Sequence, residues 1–193
     1  MLHRFSRATL TPSPWKNGGG VTYEIARSPQ PAESSVSDFD WRASIAQISK
    51  DGDFSLFTGI DRVIVLLDGG GVQLCSIGST DLIHRLDTPL QPFYFAGEQA
   101  VRAECLGGLA SHDFNVMTRR GVIDAEVCVL KASTAIEASQ AGLLFAAQGD
   151  WRVTGGELLH PGQGLYWDAG AFSHTVHPLS DAAALISVRF IRL

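Results

Sequence analysis

Asp61-Arg62-Val63-Ile64-Val65-Leu66-Leu67-Asp68-Gly69-Gly70-Gly71 is the stretch on which the reading of this chain turns. Residues 62–67 form a short apolar run rich in β-branched side chains and read as a buried strand. Asp68-Gly69-Gly70-Gly71 then supplies positions that tolerate positive φ, and the chain turns into a second strand over residues 72–77.

Outward from this point, period-two alternation recurs. Val21-Thr22-Tyr23-Glu24-Ile25 alternates apolar and polar residues. Trp41-Arg42-Ala43-Ser44-Ile45 does the same and puts Arg42 and Ser44 on one face. Further strand-like runs cover residues 82–86, 92–96, 100–106, 114–117 and 122–130, then 143–147, 151–154, 164–167, 172–177 and 183–191. Helical periodicity is scarce. Residues 134–140 read as a turn or two of helix or as a linker, and residues 29–37, rich in Pro, Ser and Ala, as an exposed loop. Twenty glycines and eight prolines supply the turns. The expectation is an all-β chain built as sandwich or barrel.

The 193 residues suffice for one large domain or two small ones sharing a core. With 45% hydrophobic and 18% charged residues, the composition fits a globular core and excludes disorder. The net charge of −5 and the absence of any Lys/Arg block beyond Arg119-Arg120 argue against nucleic acid as a partner. Residues 63–67, the longest strongly apolar run, cannot span a bilayer, so no membrane partner is expected. Residues 1–10 carry Arg4 and Arg7 without an apolar core and do not read as a secretory signal. Cys75, Cys105 and Cys128 are odd in number and widely spaced, as befits reduced packing thiols in a cytoplasmic protein. A homodimer is left open.

A short internal echo suggests two related halves. Phe93-Tyr94-Phe95-Ala96-Gly97 parallels Leu165-Tyr166-Trp167-Asp168-Ala169-Gly170, each preceded by a Leu/Ile-rich strand with a histidine, His84 or His160. We place the halves at residues 1–120 and 121–193.

Three features carry chemistry. Trp15-Lys16-Asn17-Gly18-Gly19-Gly20 offers a cation, an amide, an aromatic wall and consecutive glycines whose N–H groups can form an anion-binding nest. The plain alternative is a β-turn with Asn17-Gly18 as its pair and Trp15 as a core aromatic. It is not a phosphate-binding loop of the Walker type, because Lys16 precedes the glycines. In His112-Asp113-Phe114-Asn115-Val116-Met117, alternation puts Asp113, Asn115 and Met117 on one face, where inward polar groups need partners or a ligand. Arg42 with Ser44, beside Trp41, makes a carboxylate clamp if that face is inward. Arg62, at the head of an apolar strand, is a further candidate.

The second half resembles the latter part of a cupin barrel in Pro161-Gly162-Gln163-Gly164-Leu165-Tyr166-Trp167-Asp168-Ala169-Gly170-Ala171-Phe172-Ser173-His174. Residues 61–71 resemble the cupin strand that ends in a Gly-rich hairpin. Metal-binding cupins carry a His-x-His and a Glu ahead of that strand. Here Asp53-Phe54-Ser55-Leu56-Phe57 and Phe145-Ala146-Ala147-Gln148 hold no histidine, and only His174 stands in a matching place. His177, three residues on, points to the opposite face of a strand and cannot share an ion with it. No metal and no cofactor is expected.

Together these stretches resemble the HutD/Ves family over nearly the whole chain. The residues that carry the likeness are Trp15 to Gly20 with Thr22 and Glu24, and Asp40-Trp41-Arg42-Ala43-Ser44-Ile45-Ala46. To these are added Gly52, Phe54-Ser55, Phe57, Gly59, Asp61-Arg62 and Asp113-Phe114-Asn115-Val116-Met117. Thr58 stands where the family often has proline. The resemblance implies a metal-free bicupin fold and a bacterial role in histidine utilisation, binding intermediates such as N-formylglutamate to restrain flux. On that reading Trp15, Lys16, Asn17, Gly18, Gly19, Arg42, Ser44, Arg62, Asp113, Asn115 and Met117 bind a small anionic metabolite without catalysis. The competing reading is a metal-free isomerase or hydrolase for a small carboxylate, with His112 and His174, and also Asp113 and Tyr166, as candidate acid/base groups.

Overall fold

The computed structural model describes residues 1–29, 39–78 and 82–193. Among these are nineteen strands, one 3-10 turn at Arg7–Thr9 and no α-helix. In chain order the first eleven are β1 (Leu2–Ser6), β2 (Pro12–Pro14), β3 (Gly20–Ser28), β4 (Trp41–Ile48), β5 (Gly52–Asp53), β6 (Ile60–Gly69), β7 (Val72–Ser76), β8 (Ile83–Leu86), β9 (Pro92–Ala96), β10 (Val101–Cys105) and β11 (Ser111–Arg119). The remainder are β12 (Ile123–Leu130), β13 (Thr134–Ser139), β14 (Ala141–Gln148), β15 (Trp151–Val153), β16 (Glu157–Leu159), β17 (Gln163–Trp167), β18 (Phe172–Pro178) and β19 (Ala184–Arg192). They fall into two compact units, Thr11–Val122 and Met1–Leu10 with Ile123–Leu193.

In the unit Thr11–Val122, one sheet runs β2-β3-β4-β11-β6-β9 and a second runs β5-β10-β7-β8. Ile48, Ile64 and Leu66 from the first sheet meet Val72, Leu74, Leu86 and Val101 from the second in one core. Burying each such side chain contributes about 1.5–3 kcal/mol. The turn at 68–71 has the expected left-handed glycines, with φ of 100° at Gly69 and 76° at Gly71. It is not a hairpin, however. β6 pairs with β11 and β9, whereas β7 pairs with β10 and β8, so the turn passes the chain from one sheet to the other. A Cβ on Gly69 would stand 2.0 Å from the Ala110 carbonyl oxygen, so that passage requires glycine there.

The other unit pairs a sheet β1-β17-β14-β19-β12 with a sheet β13-β18-β15-β16. Leu144, Leu165, Trp167 and Leu185 of the first pack with Ile136, Trp151, Val153 and Val176 of the second. Two sequence expectations change here. The sequence places residues 1–10 with the N-terminal half, but β1 hydrogen bonds along β17, from Leu2↔Trp167 to Ser6↔Gln163. That pairing is fully non-local, so adjacency in sequence gives no hint of it. Residues 134–140 are not helix or linker. β13 pairs with β18 and buries Ile136 between exposed Ala135 and Glu137. Its Ala/Glu content favours helix, and cross-strand packing overrides that preference. Of the expected loop at 29–37, Pro29 is exposed and residues 30–37 lie outside the described residues. No helix of the described residues is long and apolar enough to cross a membrane.

Candidate functional site

A concavity of about 460 Å³ opens in the unit Thr11–Val122. Its wall is the inner face of the six-stranded sheet, and strand parity decides who stands there. Met117 of β11 lies opposite Arg42 of β4 on one side and Arg62 of β6 on the other. One pair further along, Asn115 lies opposite Ser44. Arg42, Ser44, Arg62, Asn115 and Met117 all line the concavity. Trp41, which alternates with Arg42, does not, and is buried at 2% exposure.

Arg62 is the unusual group. Its residue is only 6% exposed. Its guanidinium carbon sits 4.8 Å from the ring centroid of Phe95, 4.9 Å from that of Phe54 and 5.9 Å from that of Phe57. Nη2 donates to Asn115 Oδ1 at 3.3 Å, while Nε is buried without a hydrogen-bond partner. No carboxylate among the described residues pairs with it. Burial, aided by the like charge of Arg42, pushes its pKa down to about 9, so it stays cationic at neutral pH. An unpaired buried ion costs several kcal/mol, and ring faces return about 0.5–2 kcal/mol each. The residual deficit is what an anion entering the concavity would remove.

Arg42 is held differently. Its Nε donates to Glu24 Oε2 at 2.7 Å, and Glu24 also accepts from Arg27 Nε at 2.7 Å and from Arg27 Nη2. Burial raises the Glu24 pKa, but the hydrogen bonds from Arg27 and Arg42 outweigh it, and the net shift is downward. Glu24 therefore stays ionised between two guanidinium groups.

The turn Trp15 to Gly20 lies at the rim. Trp15, Lys16 and Asn17 line the concavity, but Gly18 and Gly19 do not. The glycine amides form no anion nest. Gly18 N–H donates to Trp15 O at 3.0 Å, and Gly19 N–H to Asn17 Oδ1 at 3.0 Å. Asn17 Nδ2 in turn donates to Asp53 O at 3.3 Å, so this amide fixes the turn at both ends. Trp15 Nε1 donates to Thr22 Oγ1 at 2.8 Å, which orients the indole as a wall, edge-on to Phe54. A Cβ on Gly20 would stand 2.4 Å from Gln47 O, which explains that glycine as close packing.

Asp113 shares a face with Asn115 but does not line the concavity. It is fully buried and accepts from Ser111 Oγ, 3.0 Å from each carboxylate oxygen. Neither histidine of the enzymatic reading reaches the concavity. His112 pairs with Asp68. His174 belongs to the other unit, buried against Trp167 and Phe172, its pKa lowered by burial. No group of three or more His, Cys, Asp or Glu among the described residues is arranged to hold a metal ion. The sequence assigns no site role to Phe54, Ser55 and Phe57, which also line the concavity, nor to Glu24. Their signal was present only as aromatics near Arg62 in sequence and as the Glu24/Arg27 spacing.

The HutD family model matches residues 7–186. The chain belongs to the HutD family. HutD from Pseudomonas fluorescens SBW25, in a formate condition, superposes with a TM-score of 0.84 at 29% identity, covering 100% of each chain. A conserved protein of unknown function from Pseudomonas aeruginosa PAO1 gives 0.82 at 29% identity over 98% of each chain. The cupin-like protein YlbA from E. coli gives 0.68 at 8% identity, over 98% of this chain and 90% of its own, a likeness of fold alone. The HutD-family chain thus has the all-β, cupin-like fold that its sequence implied.

Proposed function

We propose that this HutD-family protein binds a small carboxylate metabolite in the concavity without transforming it, and that occupancy restrains histidine catabolism. The observation that carries this is Arg62, a buried cation whose neighbours are three aromatic rings and an amide rather than a carboxylate. Its guanidinium offers charge-assisted hydrogen bonds to a carboxylate, with Ser44 as a further donor. Lys16 at the rim supplies a further cation beside Arg42 and Arg62, which suits a dicarboxylate such as N-formylglutamate. Trp15, Phe54, Phe57 and Met117 provide an apolar enclosure. Among the described residues the lining contains no histidine, and its one carboxylate, Asp53, is bound by Arg102 at 3.1 Å. Binding is therefore favoured over acid/base chemistry.

The test is calorimetric titration with N-formyl-L-glutamate and each other histidine-degradation intermediate, with product analysis on the same samples. One carboxylate should bind and be recovered unchanged, and Arg62→Ala and Arg42→Ala should abolish binding while remaining folded. Turnover of any intermediate, or unchanged affinity in Arg62→Ala, overturns the reading.

A further inference from the structure

We infer that Glu24, which does not line the concavity, is the positioning residue of its binding site. This rests on the carboxylate-binding reading above.

Strand β3 carries a defect in its pairing with β4. β3 and β4 pair regularly from Gly20↔Ile48 to Glu24↔Ser44, and the register then shifts so that Ala26 faces Ala43 and Arg27 faces Arg42. Ile25 is the extra residue. In an undisturbed strand Arg27, three residues beyond Glu24, would point to the opposite face. The bulge brings both to the same side, which is how bulges re-aim side chains beside sites. Arg27 and Arg42 then stand directly opposite each other, an arrangement that like charges disfavour. Glu24 resolves it by accepting from both, taking Arg42 by its Nε. That grip on Nε constrains the planar guanidinium in the concavity wall, where Arg42 already repels Arg62. Without it, Arg42 has no described partner holding it against that repulsion.

Removing Glu24 has two opposed consequences, and their sign separates a positioning role from a mere contribution to the field. Glu24→Gln raises the net charge beside an anion site by one, which on charge alone strengthens anion binding, most at low salt. Loss of positioning weakens it, because a glutamine oxygen cannot accept fully from two guanidinium groups and its NH2 faces N–H donors. We expect at least a tenfold weaker affinity for N-formyl-L-glutamate at low and at high salt, despite the added positive charge.

The experiment titrates wild type, Glu24→Gln, Arg42→Lys and the double variant with N-formyl-L-glutamate, with thermal melts on each. The exchange rate of the Arg42 Nε proton is followed by NMR in wild type and Glu24→Gln. Arg42→Lys keeps the charge but lacks the Nε–H that Glu24 holds, so it should lose affinity too, and the double variant should be no worse than the weaker single. If Glu24→Gln does not fold, Arg42→Lys decides, and undiminished affinity there overturns the inference. If wild type binds and Glu24→Gln binds equally or more tightly, the positioning role is overturned while the carboxylate site stands. If wild type binds no carboxylate, the binding reading falls, and the NMR arm still decides. Faster Arg42 Nε exchange in Glu24→Gln supports the grip, and an unchanged rate overturns it.

Discussion

Arg42 and Arg62 stand two strands apart with Met117 in register between them, so two guanidinium groups face one concavity. Among the described residues only Arg42 of the two has a carboxylate partner. The asymmetry assigns different roles. Arg42 is a held group beside the Glu24 carboxylate, whereas Arg62 is a buried cation among aromatic rings and the Asn115 amide.

A buried unpaired cation opposes stability, so removing it should trade binding for stability. Arg62→Met replaces the charge with an apolar chain of similar length among Phe54, Phe57 and Phe95. Replacing buried ions by packed apolar groups stabilises by about 1–4 kcal/mol. Urea unfolding should show a gain in that range, and carboxylate titration at least a hundredfold loss of affinity. A variant that is destabilised would mean that Arg62 is a structural ion.

Of the four tryptophans, Trp15 alone lines the concavity, while Trp41, Trp151 and Trp167 are fully buried. Ligand entry should therefore change the emission of Trp15 specifically. Trp15→Phe should abolish the ligand-induced fluorescence change. It should also cost about 1 kcal/mol through the lost bond to Thr22. A signal that persists in Trp15→Phe places the ligand elsewhere.

The inner-face residues were legible because side-chain parity along a strand survives folding. Arg42 with Ser44, and Asn115 with Met117, follow from alternation alone, and the structure sets the two pairs opposite each other. What parity does not reach was not legible. Phe54 and Phe57 sit in aperiodic chain between β5 and β6, and only tertiary packing brings them onto Arg62. Parity sets Glu24 and Arg27 on opposite faces, and only the bulge at Ile25 brings them to one side with Arg42. The reading of Gly18 and Gly19 as an anion nest failed for a related reason. Sequence shows which amides can turn inward, not which acceptors already hold them, and here Trp15 O and Asn17 Oδ1 do.

Gly20 and Gly18 should respond differently to the same substitution. At Gly20, which opens β3 and pairs with Ile48 of β4, an added Cβ meets the Gln47 carbonyl at 2.4 Å, and backbone must move. Gly20→Ala should cost about 3 kcal/mol. At Gly18 nothing lies within 4 Å of the new Cβ, and only the φ of 69° is unfavourable, so Gly18→Ala should cost about 1 kcal/mol. Equal losses in denaturant titrations would contradict the packing argument for Gly20.

Asp113 gives the protein a pH-dependent stability whose sign is fixed by its burial. Burial pushes its pKa up to about 7, Ser111's hydrogen bond pulls it down and the charge of Asp68 raises it further. The unfolded chain releases this proton near 3.8, so between that value and about 7 the folded state holds the extra proton. The favourable contribution is complete below the unfolded value and is lost as pH rises through the folded one. At 1.4 kcal/mol per pKa unit, a shift of this size corresponds to about 4 kcal/mol. Asp113→Asn keeps an acceptor for Ser111 and carries no charge at any pH. Its stability relative to wild type should be similar near pH 4 and should rise by up to about 4 kcal/mol towards pH 8. The check is urea unfolding of both proteins at pH 4, 6 and 8. A difference that is flat across that range would show that Asp113 ionises normally in the folded protein and that its burial is relieved by a donor other than Ser111.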